Sequence, residues 1–148
     1  MKFEGTVNIS APSDAVWDFL TDPDKLTACV PQLESWEEIE PNKRFEIVGA
    51  MPMGAGSFAR VPAVVNWLDV AQPHMAVEAK IKFGSGKLYM TGEFDLEEAD
   101  ESHTKLLWSS EISGPKTGLS IPKPMLHSWS VKLFKAFFTC VKNKIEAA

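Results

Sequence analysis

The chain has 148 residues but only two cysteines, one tyrosine and three histidines, and each scarcity removes a class of chemistry. Cys29 and Cys140 are too few and too far apart for a metal-cluster motif, and both lie among apolar neighbours, so they read as reduced core thiols. His74, His103 and His127 are scattered, with no His-Glu-x-x-His pattern and no pair of cysteines or carboxylates at ligand spacing on a helix face. No metal and no cofactor is therefore expected. Fifteen Lys and Arg against twenty Asp and Glu give a net charge of −5, and no basic run interleaved with aromatics occurs, which argues against nucleic acid as a partner. No apolar run approaches the roughly 18 residues a membrane-spanning helix needs. Met1-Lys2-Phe3-Glu4 enters an alternating pattern at once, so no signal peptide is read and the expected compartment is the cytoplasm. A Gly-x-Ser-x-Gly elbow is missing, and Gly84-Ser85-Gly86-Lys87 lacks the spacing of a phosphate loop and joins two strand patterns, so it reads as a hairpin turn.

What the chain does have is apolar surface: hydrophobic residues make up 45%, with five Trp and nine Phe. Such rings suit a bulky core or a greasy pocket, with few hydroxyl handles. The longest single pattern is at the end, from Ile121 to Ala148. There Met125, Leu126, Trp129, Leu133, Phe134, Phe137, Phe138, Val141 and Ile145 recur at steps of three and four, with Lys132, Lys135, Lys142 and Glu146 on the other side. Pro122 and Pro124 suit the start of a helix, and Lys142 and Lys144 suit its last turns. One face of this helix requires a large apolar partner.

The rest of the chain supplies strands. Lys2 to Ser10 alternates as a half-buried strand. A helix opens at Pro12 or Ser13 with Val16, Trp17, Phe19 and Leu20 on its apolar face and ends at Pro23, and a second short helix runs from Pro23 to Cys29. Leu33 to Ile39 is a strand with Leu33, Ser35, Glu37 and Ile39 on one side, turning through Pro41-Asn42-Lys43 into Arg44 to Ala50. Met51-Pro52-Met53, among glycines, reads as a flexible loop. Ser57 to Val70 is extended, with Pro62 marking an edge or bulge, and Met75 to Phe83 and Leu88 to Leu96 form a hairpin. After an acidic turn at Glu97 to Glu101 comes a last strand, Thr104 to Ser113, and Gly114 to Gly118 links it to the long helix. One domain over residues 1–148 is expected, of α+β class. Its curved antiparallel sheet of six to seven strands wraps the long C-terminal helix, with two short helices after the first strand.

The opening residues add a resemblance. Met1-Lys2-Phe3-Glu4-Gly5 into Ile9-Ser10-Ala11-Pro12, then Val16-Trp17, Phe19-Leu20, Asp22-Pro23, Leu26, Cys29-Val30-Pro31 and Glu34-Ser35 resemble the START-like helix-grip superfamily, which includes polyketide cyclases and plant lipid-binding allergens. Within it the signature is similar to the branch of the carbon monoxide dehydrogenase G-subunit. Gln32 departs from the glycine usual there after Cys-hydrophobic-Pro, and the strand holding Val61-Pro62-Ala63 is also unusual. The resemblance implies a deep apolar cavity between sheet and helix, and a role in carrying lipophilic molecules such as quinones or in assembly or membrane attachment of molybdenum hydroxylases.

Strand and helix parities then give an expected lining: Phe45, Ile47, Phe58, Trp67, Val77, Ile81, Met90, Trp108, Leu126, Trp129 and Leu133, with Ser110 and His127 as polar hooks and Met51 and Met53 as a lip at the mouth. For each residue singly, a filled core is the alternative. The functional expectation is a non-enzymatic carrier of a hydrophobic small molecule or lipid, in contact with a redox enzyme or the inner face of a membrane. Its rivals are a cyclase or dehydratase using His127 or Glu111 as acid or base, and a structural adaptor with a closed pocket.

Overall fold

Alternating sequence becomes sheet and the three-four periodic stretches become helix over nearly the whole chain. The computed structural model describes residues 1–54, 56–83, 86–114 and 122–148. Strand β1 (Lys2–Ile9) is followed by α1 (Ser13–Leu20) and α2 (Pro23–Thr27). Six strands come next: β2 (Leu33–Glu40), β3 (Arg44–Gly54), β4 (Ser57–Ala71), β5 (His74–Phe83), β6 (Gly86–Asp100) and β7 (His103–Ser113). Helix α3 (Lys123–Ala147) ends the chain. The turn residues Gly84 and Ser85, residues 115–118 of the linker and the expected helix start at Ile121 lie outside the described residues.

All seven strands form one curved antiparallel sheet in the order β1-β7-β6-β5-β4-β3-β2. The first and last strands are therefore neighbours, with Gly5 opposite Trp108. Because β1 and β2 stand at opposite edges, α1 and α2 carry the chain across the whole sheet. Asp22 caps α2 by accepting from the amides of Asp24 and Lys25, and Pro23 occupies the first turn, where no donor is needed.

The apolar faces meet mainly at one end. Val16, Phe19 and Leu20 of α1 pack with Ile9, Leu96, Leu106, Phe138, Val141 and Ile145, burying one side of the second half of α3 against β1, β6 and β7. Aromatic rings continue the contact: Trp108 stacks on Phe138 at 4.6 Å and tilts on Phe134 at 5.0 Å, while Phe94 meets Phe138 edge-on at 6.0 Å. Lys142 and Glu146, expected on a free polar face, instead clasp the end of β1. The lysine donates to Asn8 O (2.6 Å) and to the Glu146 carboxylate (2.7 Å), which also accepts the Ser10 amide (2.8 Å).

Five local expectations are corrected. Cys29 and Cys140 are not free thiols: they form a disulfide, with Cα atoms 5.5 Å apart, tying the end of the α2 segment to α3. Met51 to Gly54 is strand rather than loop, continuing β3 so that Met51 pairs with Ala59. Met51 is buried with Val61 and Phe83 against Trp129, so it is no mobile lip; the Met53 side chain lies outside the described residues. In β2 a bulge between Leu33 and Ser35 resets the parity. Trp36 opposite Ile47 faces inward, while Ser35, Glu37 and Ile39 are exposed. The acidic stretch extends β6 to Asp100, so the turn is Glu101-Ser102. Pro62 pairs with Val48 on one side, and the ladder to β5 begins one residue later at Ala63, so the missing N–H falls where β4 has no second partner.

Candidate functional site

The site follows from where α3 leans. Its second half is pinned to β1, β6, β7 and α1, and near its start Trp129 rests on Met51, Val61 and Phe83 of β3, β4 and β5; between these two contacts helix and sheet stand apart around a partly open cavity of about 260 Å³. Leu26, Val30 and Pro31 of the α2 segment form one wall. The sheet wall comes from the residues that the pleat turns inward: Phe45 and Ile47 of β3, Val61, Ala63, Val65 and Trp67 of β4, Val77, Ala79 and Ile81 of β5, Leu88, Met90 and Phe94 of β6, and Trp108 and Ile112 of β7. Helix α3 contributes Leu126, Trp129, Leu133, Phe134, Phe137 and Phe138. Two small clusters, Met51-Val61-Phe83 and Leu88-Ile112-Leu126, seal the end beneath the start of α3. A pair of rings, Phe45 and Trp67 with centroids 4.9 Å apart, lies in the half formed by β3 and β4.

Of the residues expected from sequence, Phe45, Ile47, Trp67, Val77, Ile81, Met90, Trp108, Ser110, Leu126, Trp129 and Leu133 lie together in this lining. Three do not. Phe58 is 59% exposed on the outer face: it is an odd number of residues from Ala59, Val61, Ala63 and Trp67, and alternation sends it the other way. His127, one residue past the buried Leu126, is exposed and rests on the Phe3 ring at 5.3 Å. Met51 is buried in the sealing cluster rather than on the cavity wall. The sequence reading missed the α2 segment and the inward aromatics Phe94, Phe134, Phe137 and Phe138 as lining. The helical periodicity already placed Phe134, Phe137 and Phe138 on the apolar face, and alternation placed Phe94 with Met90.

Ser110 is the one expected polar hook in the wall, and its hydroxyl donates to Thr91 O at 2.8 Å. Thr27, also lining, donates to Pro23 O at 2.7 Å. Glu111 points to the outer face, so it and His127 lie outside the cavity and apart from one another. A second hollow of about 610 Å³ occupies that outer face, bounded by Lys2, Glu4, Leu68, Thr91, Glu93 and Glu111; it is an open depression of mixed charge on the opposite side of the pleat.

The shifted titratable groups are also peripheral. His74 is held above the ordinary imidazole value by its contact with Asp95 at 2.8 Å. Tyr89 is raised by its bond to Glu78 at 2.5 Å. Asp100 is held below the usual carboxylate range by the Ser102 amide and His103. No cluster of three or more metal-ligating side chains occurs among the described residues, and no helix among them is long and apolar enough to cross a membrane.

With this geometry in place, comparison with known proteins gives both a family and a fold. A family model for CoxG, the carbon monoxide dehydrogenase G-subunit, matches residues 5–146. No curated protein matches. Among solved structures, a conserved protein from Geobacillus kaustophilus is 20% identical with a TM-score of 0.85, over 98% of this chain and 95% of that one. The Zhui aromatase/cyclase from Streptomyces sp. R1128 is 21% identical with a TM-score of 0.76, over 99% and 93%. A START superfamily protein from Mycobacterium smegmatis is 10% identical with a TM-score of 0.75, over 99% and 97%. At these identities the structures share the START-like fold with this chain.

Proposed function

This chain belongs to the CoxG family, that of the carbon monoxide dehydrogenase G-subunit, and we propose that it is a non-enzymatic carrier whose cavity holds a hydrophobic small molecule, a lipid or quinone-like compound. One observation carries the reading: the interior space between sheet and helix is walled almost wholly by aliphatic and aromatic side chains. Binding there is driven by apolar burial, about 2.5 kcal/mol for each 100 Å² of ligand surface removed from water. The cavity is just below the usual range of about 300–1,000 Å³ for drug-sized ligands, which suits a ring system or a single chain more than a two-chain lipid.

The family name supplies the second half of the proposal: delivery to, or collection from, a molybdenum hydroxylase of the carbon monoxide dehydrogenase type, in the cytoplasm or at the inner face of the membrane. The Cys29–Cys140 disulfide makes the compartment testable, because cytosolic thiol buffers normally keep such pairs reduced. Thiol trapping in intact cells reads the pair directly. Full oxidation in cells would move the protein to an oxidising compartment.

The carrier reading is tested by native mass spectrometry of the purified protein, then organic extraction and identification of whatever co-purifies. A stoichiometric lipophilic compound is the expected result. Its place is checked with Trp129→Ala, which should weaken rebinding while the melting temperature is monitored separately. A clean apo mass, together with no thermal shift from quinones, lipids or aromatic compounds, would refute the carrier.

A further inference from the structure

We infer that the cavity accepts only electrically neutral ligands and refuses an ionised group, an inference that rests on the carrier reading and narrows its ligand class. Among the described residues that line it there is no Asp, Glu, Lys, Arg or His. The side-chain polar atoms on the inward face of this wall are the hydroxyls of Thr27 and Ser110 and the indole nitrogens of Trp67, Trp108 and Trp129, since Ser109, opposite Glu4 and Glu93, turns its hydroxyl to the outer face. Both Thr27 and Ser110 already spend their protons on backbone carbonyls. The strand amides around them are engaged in the sheet ladder on both sides through most of β5, β6 and β7.

Among the described lining residues an anion entering this space finds no counter-charge, and a cation finds no carboxylate. Desolvation of a buried, unpaired charge is among the largest penalties in protein energetics, and the usual escape is to neutralise the group by protonation or deprotonation. The charges nearest in sequence lie on the other side of the pleat: Glu78, Lys80, Lys82, Lys87 and Glu93 alternate with inward Val77, Ala79, Ile81, Leu88 and Gly92. The same alternation that makes the lining apolar keeps these strand charges on the outer face. An aromatic acid small enough to lie wholly within this space of about 260 Å³ therefore enters only in its protonated form, whereas an ester, ketone, quinone or alcohol of equal shape enters at any pH.

The test pairs naphthalene-2-carboxylic acid with its methyl ester and measures affinity by quenching of tryptophan fluorescence from pH 5 to pH 8. The ester's Kd should stay flat. The apparent Kd of the acid should rise about tenfold per pH unit, about a thousandfold over the range, because only its neutral fraction binds and carboxyl groups ionise near pH 4. Ala79→Phe, which fills the wall at a buried position, should weaken the ester, with circular dichroism confirming the fold. An acid that binds at pH 8 as tightly as its ester overturns the neutral-ligand inference and leaves the carrier standing. Failure of both compounds to bind at any pH, or ester binding untouched by Ala79→Phe in a folded variant, overturns the carrier reading and this inference with it.

Discussion

The disulfide offers the sharpest quantitative test of the fold. Cys29 and Cys140 are separated by 111 residues, so their bond joins the α2 segment to the second half of α3 across nearly the whole chain. In the chain-entropy description, closing a loop of that length removes about 16 cal/mol/K from the unfolded state, or about 4.8 kcal/mol at 25 °C. Measured disulfides span about 2–5 kcal/mol, because unfolded chains retain structure. Against a total stability of about 5–15 kcal/mol this is a large share. With about 2–4 °C per kcal/mol for a chain of this size, the full effect corresponds to a fall of about 10–20 °C in Tm. The assay is urea unfolding of the oxidised protein, of the protein in reductant, and of a Cys29→Ala/Cys140→Ala double variant. The last two should coincide, and the oxidised form should be more stable with a shallower denaturant slope, since its unfolded state stays more compact. A gap below about 1 kcal/mol, or two free thiols titrated in the denatured oxidised protein, would refute this reasoning.

Three further outcomes follow from single positions. A Cβ at Gly5 would lie 2.7 Å from Trp108 Nε1, and the Trp108 ring is already held by Phe134 and Phe138, so Gly5→Ala should cost about 1–3 kcal/mol and alter the near-ultraviolet circular dichroism of the aromatic stack. Gln32 has φ 61°, a left-handed conformation that costs a side-chain-bearing residue about 1–2 kcal/mol. Gln32→Gly should therefore raise stability by about 0.5–1 kcal/mol once the greater freedom of the unfolded glycine is subtracted, and a lower urea midpoint would contradict it. The Glu146 carboxyl is held below the ordinary range by the Lys142 ammonium and the Ser10 amide. A depressed folded value means its contribution is present above about pH 4.5 and is lost as the pH falls through the folded value. Glu146→Gln should accordingly be less stable than the parent at pH 7, with the difference closing toward pH 3; a pH-independent difference would remove the clasp from the account.

How far the sequence could be read depended on how local the governing physics is. Alternation in Met75 to Leu96 and the three-four steps of Met125 to Ile145 specify strand and helix because each side chain's face is set by its own backbone period. The same rule collected on one wall eleven of the fourteen expected site residues whose side chains are described. It failed where something non-local intervened. The bulge after Leu33 shifted the parity of β2 and hid Trp36, and a strand that runs on through Met51 replaced the loop that proline and glycine suggested. Phe58 was different, since counting alone from Trp67 would have placed it outside. Gln32 shows a departure whose meaning needed coordinates: the glycine usual at that position suits a left-handed backbone, and here glutamine occupies it.

By itself the sequence determined the element order, the amphipathic terminal helix, the one-sided apolar lining and the outward placement of strand charge, because all of these follow from short-range periodicity. Only the tertiary structure decided that Cys29 meets Cys140, that Lys142 and Glu146 clasp the end of β1, and that α3 rests on the sheet toward both of its ends so that a cavity of about 260 Å³ remains between. These are contacts between residues more than a hundred positions apart or spaces that no residue occupies. They depend on how curved surfaces fit, which no local pattern of residues records.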